Sequence, residues 1–228
     1  MDNLKRALIW LLRKIFLPIF IPILSEPKIR RGKQNAFSLN KSTIYNCRIN
    51  ENVKYEIPYY FEEVEIGKFT YIAKNASIKR AEIGKFCSIG PNFFCGWGIH
   101  PTNGISTSPV FYSTRKQTGK SLSHVDKIEE RKKIVIGNDV FIGANVTVLD
   151  GISIGDGAVI GAGAVVSKNI PPFAIAVGTP INIIKYRFDN ITISSLQKIK
   201  WWDFSEEQLK DVEKYFFDVN EFIEKYKS

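Results

Sequence analysis

From Ile136 to Val166 an aliphatic residue falls on every sixth position, at Ile136, Ile142, Val148, Ile154, Ile160 and Val166. A period of six fits neither the ~3.6 of a helix nor the alternation of a hairpin, and it predicts a repeat fold with one short strand and one turn per unit. A second apolar lane runs four residues behind the first through Val140, Val146, Ile152, Ala158 and Ala164, all small or β-branched. Glycine follows the lead aliphatic at Gly137, Gly143, Gly155 and Gly161, and Asn138, Asn145, Gly151, Gly157 and Gly163 fall where turns are needed. Such residues accept positive φ at low cost. Each unit then buries one aliphatic inside a narrow prism, and the stacking of coils covers the faces that a single coil leaves wet.

The lane recurs earlier as Ile66, Ile72, Ile78, Ile83 and Ile89, with Gly67, Gly84 and Gly90 behind three of them. The step from Ile78 to Ile83 is one residue short, which predicts a tightened turn. Between the two blocks, Phe94 to Lys133 carries no repeat and is too long for an ordinary connection. Long segments of this kind in compact domains are functional or disordered, so the chemistry is expected there. After the prism, Ser205-Glu206-Glu207-Gln208 is a capping-box signature, and Leu209, Val212 and Phe216, then Val219, Phe222 and Ile223, have helical spacing. Trp201 and Trp202 are expected to plug the last coil, the capping that repeat arrays require.

With 228 residues, 44% hydrophobic and 24% charged, the chain reads as one globular domain with appendages. Three cysteines, Cys47, Cys87 and Cys95, without C-x-x-C spacing, argue against a disulfide framework or a zinc knuckle and fit a reducing cytoplasm. The net charge of +9 implies anionic partners, but the basic clusters, at Lys28 to Lys33 and Arg131 to Lys133, accompany no nucleic-acid-reading motif. Nucleic acid is therefore not an expected partner. The N-terminal run MDNLKRALIWLLRKIFLPIFIPIL is interrupted by Arg13, Lys14, Pro18 and Pro22, and its longest apolar stretch, Ile15 to Leu24, falls short of a spanning helix. No small-x-small cleavage site follows it. Leu4, Leu8, Leu11 and Ile15 share a face opposite Arg6 and Arg13, a pattern that fits either a helix lying in a membrane surface or one packed on a neighbouring subunit. The organisation is then an apolar and basic segment at 1–34, a repeat domain at 35–190 with its loop at 94–133, and a C-terminal helical cap at 191–228.

The blocks IGKFCSIGPN (83–92), VIGNDVFIGANVTVLDGISIGDGAVIGAGAVVSKNIPP (135–172) and VGTP (177–180) resemble the hexapeptide-repeat acetyltransferases. IKYRF (184–188) and LQKIKWWDFSEEQL (196–209) make the chain similar to the xenobiotic acetyltransferase branch, which includes streptogramin and type B chloramphenicol acetyltransferases. The resemblance covers residues 61 to about 215. It implies a mainly β fold, a left-handed parallel β-helix with a protruding loop, an N-terminal apolar helical segment and C-terminal helices. The left hand comes from the resemblance alone, since ordinary crossovers are right-handed. With three units per coil, 136–153 and 154–171 would be complete coils. The resemblance further implies a homotrimer, acetyl-CoA in the groove between subunits, and a histidine reaching that groove from a loop.

His100 matches that histidine. IGPNFFCGWGIHP (89–101) carries the same landmarks, PN and then HP, as the corresponding segment of the galactoside acetyltransferases. One general base suffices: a neutral imidazole takes the proton of an attacking hydroxyl and returns a proton to the departing thiolate. Cys95 lacks a triad and reads as packing, and His124, in a polar stretch, reads as solvated. The γ-class carbonic anhydrases share the prism but bind zinc with three histidines, which a chain with two does not supply, so no metal is expected. For the cofactor, the resemblance carries over to the backbone amides of Ala144 and Ala162 along the pantetheine arm, to Ser167 and Lys168 near the nucleotide, and to Thr179, Pro180 and Asn182 around the adenine. Lys168 reads equally as a solvated lysine, and relatives carry a cation where this chain has Asn182. Gly155, Gly157, Gly161 and Gly163 keep step with the repeat and open no helix, so they are not a dinucleotide loop, and the sequons at Asn75 and Asn145 read as turns.

The run from His100 to Tyr112 resembles acetyltransferases that act on bacterial surface polysaccharides. Asn92, Trp97, Phe111 and Tyr112 are the candidate acceptor contacts, the three aromatics stacking on a sugar ring or else packing in the interior. The expected activity is acetyl-CoA-dependent O-acetylation of a sugar hydroxyl in a capsule, O-antigen or exopolysaccharide, on free or lipid-linked acceptors. It would take place in the cytoplasm, with residues 1–24 touching the inner face of the membrane. The alternatives are acetylation of an antibiotic or of an amino-sugar nitrogen, and a non-enzymatic prism, which would be expected to lack the loop histidine.

Overall fold

Backbone stacking, not hairpin pairing, satisfies almost every rung of this chain. The structure, a computed structural model, describes residues 42–227, so the N-terminal helix expected from Leu4 to Ile15 lies outside the described residues. The first coil holds β1 (Thr43–Tyr45), β2 (Arg48–Ile49) and β3 (Lys54–Tyr55). The next two hold β4 (Tyr59–Ile66) with β5 (Tyr71–Ile72), and β6 (Ala76–Ile83) with β7 (Ser88–Ile89). Then come β8 (Phe94–Cys95), β9 (Ile134–Ile136) and β10 (Phe141–Ile142), and after them β11 (Thr147–Val148), β12 (Ser153–Ile154) and β13 (Val159–Ile160). The last coil has β14 (Val165–Val166) and β15 (Ala174–Val177), and β16 (Asn182–Tyr186) folds back antiparallel on β15. All other pairings are parallel, and they build three walls. The first wall runs β1-β4-β6-β8-β11-β14 and the third runs from β3 to β16.

Both apolar lanes face inward as their spacing predicts. The six lead aliphatics from Ile136 to Val166 are each at most 1% exposed, as are Ile66, Ile72, Ile78, Ile83 and Ile89. At ~1.5–3 kcal/mol per buried aliphatic side chain, this lane dominates the fold's stability. Glycine behind the lead residue answers to close approach: a Cβ at Gly143 would lie 2.5 Å from the Ala162 nitrogen of the next coil.

Coil length is not constant. Equivalent residues are 17 apart in the first block, as Asn75 and Asn92 are, and 18 apart across Asn138 and Asp156. Ile136 pairs with Ile154, which completes the coil expected at 136–153. The coil expected at 154–171 closes early, because Ile154 bridges Ile170: the corner after Val166 has two residues fewer than the one after Val148. In the first block the tightened turn is a single left-handed residue, Glu63 (φ 56°) or Arg80 (φ 48°), inside an otherwise continuous strand. Asn145, Gly151, Gly157 and Gly163 take positive φ as expected, but Asn138 does not: Asp139 (φ 54°) makes the turn. The Asn138 side chain instead accepts from the Lys85 N–H at 2.9 Å and donates to Asp156 at 2.8 Å, tying three coils together.

Three helices follow: α1 (Asn190–Ile199), α2 (Glu206–Lys214) and α3 (Val219–Tyr226). Ser205 and Gln208 form the expected capping box on α2. Ile193, Leu196, Phe222 and Ile223 pack with Trp202 on Phe173, whereas Phe216 lies past the end of α2 and is exposed. The tryptophans do not plug the prism. Trp201 packs on Phe86 at 5.0 Å, and Phe86 stacks on Phe69 of the coil before it, so the helices lie along one corner. Ion pairs Lys85–Asp203 and Arg187–Asp139, both 2.9 Å, fasten that corner. Among the described residues no helix is long and apolar enough to cross a membrane.

Candidate active site

The non-repetitive segment leaves the prism two residues later than the sequence pattern suggests. Phe94 and Cys95 are still wall, pairing with Ser77 and Ile78 on one side and Thr147 and Val148 on the other. Cys95 is a core residue, and burial pushes its thiol up to about 12, so it stays protonated and inert. At Gly96 (φ 73°) a Cβ would lie 2.0 Å from the Lys79 carbonyl oxygen, so only glycine lets the chain turn outward there. Residues 96–133 then form a loop on the corner between β8 and β9.

One side chain of the next coil closes the base of that loop. Asp150 accepts from the Gly98 N–H at 2.9 Å on one oxygen and from the Lys132 N–H at 3.2 Å on the other. Beside it the Ile99 N–H donates to the Glu130 carbonyl at 2.7 Å. The interior of the loop is polar: the nearly buried Glu130 carboxylate accepts from Ser113 Oγ at 2.7 Å and Gln117 Nε2 at 2.8 Å, with Arg115 at 3.3 Å. Asp126 accepts from Thr114, whose backbone hydrogen bond, with the side-chain one, holds its carboxyl below the usual carboxylate range.

His100 projects from this loop as an exposed ring. Its Nδ1 lies 2.9 Å from the Thr107 carbonyl oxygen and 2.9 Å from Tyr112 Oη, and the Tyr112 ring stands edge-on to it at 88°. A carbonyl oxygen accepts and cannot donate, so the Nδ1–Thr107 contact requires the proton on Nδ1. In the neutral imidazole Nε2 then carries the lone pair, the state a general base needs.

Under the loop's first turn lies a charged knot. Lys79 Nζ pairs with Glu62 at 3.0 Å and sits 4.2 Å from the Trp97 ring centroid and 4.8 Å from that of Tyr60. Tyr60 donates to Glu62 at 2.8 Å, and burial first, then that bond, pushes its phenol up to about 12. Burial raises the Glu62 carboxyl, but the hydrogen bonds from Tyr60 and Lys79 outweigh it and hold it below the ordinary value.

Of the expected acceptor contacts, Trp97 and Phe111 are open, 47% and 49% exposed. Tyr112 is 4% exposed and cannot stack on a sugar: its ring is interior and its oxygen faces His100. Asn92 is committed elsewhere, accepting from Asn75 and donating to Asn145 in a ladder along the corner that leads into the first wall. Ala144 and Ala162 occupy the same corner, on stacked turns where Gly163 N–H donates to the Ala144 carbonyl. Their own N–H groups meet no acceptor among the described residues. Thr179 joins this column, donating to the Gly163 carbonyl at 3.3 Å, and Pro180 follows it, exposed. Ser167 and Lys168 are exposed on the other edge of the first wall, after β14, and Asn182 is exposed at the start of β16. His124 is exposed. Among the described residues no three His, Cys, Asp or Glu side chains converge as a metal-holding group.

The sequence reading missed Asp150, Glu130, Lys79 and the Thr107 carbonyl. For Lys79 a signal existed, since the coil length of 17 sets it beside Glu62 on the outer face. The others act through partners far along the chain or through the backbone, where residue type carries no sign.

Residues 133–168 match the family described as "Bacterial transferase hexapeptide (six repeats)". A chloramphenicol acetyltransferase from Klebsiella aerogenes is 40% identical over 131 residues, 56% of this chain and 61% of that protein. A probable macrolide acetyltransferase from Lysinibacillus sphaericus is 40% identical over 131 residues, 57% of this chain and 72% of that protein. The chain therefore spans less than two thirds of the first relative and somewhat more of the second. Among solved structures, a mutant of AntD, an N-acyltransferase from Bacillus cereus in complex with dTDP and coenzyme A, gives a TM-score of 0.54 at 22% identity, over 70% of this chain and 84% of that one. That likeness is one of fold.

Proposed function

The chain belongs to the hexapeptide-repeat acetyltransferases, and on that premise we propose that it moves an acetyl group from acetyl-CoA to a hydroxyl of a bacterial surface polysaccharide, with His100 as general base. The observation that carries this reading is the polar clamp on Nδ1, which in the neutral ring leaves Nε2 bare on an exposed side chain of a loop that also carries the open aromatics Trp97 and Phe111. Nε2 takes the proton of the acceptor hydroxyl as its oxygen forms the new ester bond, and the imidazolium returns a proton to the sulfur as the carbon–sulfur bond breaks. Acetyl-CoA supplies the activated acyl group as a thioester.

The residues present fit such a co-substrate. The unpaired amides of Ala144 and Ala162, on successive turns of one corner, can donate to the amide carbonyls of a pantetheine arm. Lys168, exposed and without an ion-pair partner among the described residues, offers charge to a phosphate. Trp97 and Phe111 offer faces to a sugar ring. The site would be completed by neighbouring copies in a homotrimer, for which the exposed Phe94 and Leu149 of the first wall provide apolar surface. Residues 1–24 would hold the enzyme on the inner face of the membrane, where lipid-linked glycans are assembled.

A second reading is supported by the 40% identity to a chloramphenicol acetyltransferase: the acceptor is a drug hydroxyl. One experiment separates the readings. Acetyl-CoA is mixed with free and lipid-linked oligosaccharides or with chloramphenicol, CoA release is followed, and the gain of one acetyl group is read by mass. Transfer to saccharide that His100→Ala abolishes supports the first reading. Transfer to the drug alone replaces it with the second, and an unchanged rate in His100→Ala removes the general-base mechanism from both.

A further inference from the structure

Resting on the reading of His100 as base, we infer that Tyr112 is a positioning residue that acts through His100 and not an acceptor contact. Three observations carry this. Tyr112 is the only aromatic of the loop that is buried, so its ring is fixed by packing and not free to follow a ligand. Its oxygen lies as close to Nδ1, 2.9 Å, as the Thr107 carbonyl does. Its phenol is pushed up by burial, with the Glu130 charge adding, so it stays a neutral hydroxyl.

Nδ1 carries a single proton in the ring plane, and Thr107 can only accept it. Tyr112 therefore offers a second acceptor to the same N–H, and the imidazole sits in a cradle of two oxygens. The Lys127 N–H donates to the Tyr112 carbonyl at 2.8 Å, and the neighbouring Ser113 hydroxyl to Glu130, so the cradle is built into the loop's polar interior. The ring gains positive charge when Nε2 takes the acceptor's proton, and both bonds at Nδ1 then become charge-assisted and stronger. Tyr112 thus contributes more to the transition state than to the resting enzyme, which assigns its effect to kcat.

Tyr112→Phe keeps the ring and removes only the oxygen. Steady-state kinetics on the full-length enzyme should give a kcat lowered roughly 10- to 100-fold, the worth of one hydrogen bond to a charged group, with KM for acetyl-CoA and the melting temperature unchanged. Tyr112→Leu, which also loses the packing, should fall further and lower the melting temperature. A Tyr112→Phe enzyme with wild-type kcat would overturn the inference, as would a loss seen in KM alone. Failure of the underlying reading looks different: His100→Ala itself would then release CoA at the wild-type rate.

Discussion

The wall of the prism and the loop that leaves it are held by different forces. In the wall every rung repeats one bargain, an aliphatic side chain inward and a backbone ladder along the stack, and no single contact matters more than its neighbours. Residues 96–133 bury only Gly96, Tyr112, Ser113 and Glu130, and a few polar bonds between distant positions hold them in place. Stability is thus spread through the wall and concentrated in the loop, and His100, the proposed base, sits on the part held by fewer contacts.

That contrast predicts separate failure. The largest effect belongs to the wall: Ile142→Asp buries a charge without a partner and should consume most of the ~5–15 kcal/mol available to a domain, giving a chain unfolded by circular dichroism. A folded variant melting near wild type would contradict the picture of the wall. At the junction, Lys79→Met leaves the part-buried Glu62 carboxylate with Tyr60 as its remaining donor and should cost about 1.5–3 kcal/mol in urea unfolding, most of it recovered by adding Glu62→Gln. No recovery in the double variant would mean that Lys79 acts through Trp97 and not through its ion pair. In the loop, Asp150→Ala removes the hydrogen bonds to the exposed Gly98 and Lys132 N–H groups, worth about 0.5–1.5 kcal/mol each. Faster proteolysis within 96–133 and lost acetyl transfer are expected while the prism's melting temperature stays near wild type. A global drop would merge the two regions into one unit.

The smallest effect is one of pH. The Glu62 carboxyl is held below its ordinary value of about 4.5 in the folded protein, so its contribution is present above that value and is lost as pH falls through the lower folded one. As pH falls below about 4.5 the wild type should lose more stability than the Lys79→Met, Glu62→Gln double variant. Equal losses would show that Glu62 is not held low.

The same contrast explains what the sequence made legible. A lane every six residues exposes the wall because each rung's burial is local and repeated, so inward residues could be named one by one. The irregularities escaped: the early closure at Ile170, the turn at Asp139, and Phe69, Phe86 and Phe173 in the left-handed region, which aromatic residues rarely take and no composition announces. In the loop, the place and the histidine were readable from the break in the repeat and from resemblance. Its supports were not, because Asp150 and Gly98 are 52 residues apart and Thr107 acts through its backbone. Tyr112 keeps two readings in the sequence for a related reason, since an aromatic in a loop looks the same there whether it faces a ligand or the interior, and its burial decides for the interior.

The central claim is that this loop presents His100 with its proton on Nδ1 and a bare Nε2. Nitrogen NMR of the labelled histidine side chains at about pH 8, where an ordinary imidazole is neutral, reads this directly. The account predicts a protonated Nδ1 coupled to its hydrogen and a pyridine-like Nε2 for His100, against a mixture of tautomers for the exposed His124. A proton found on Nε2 of His100 would contradict it.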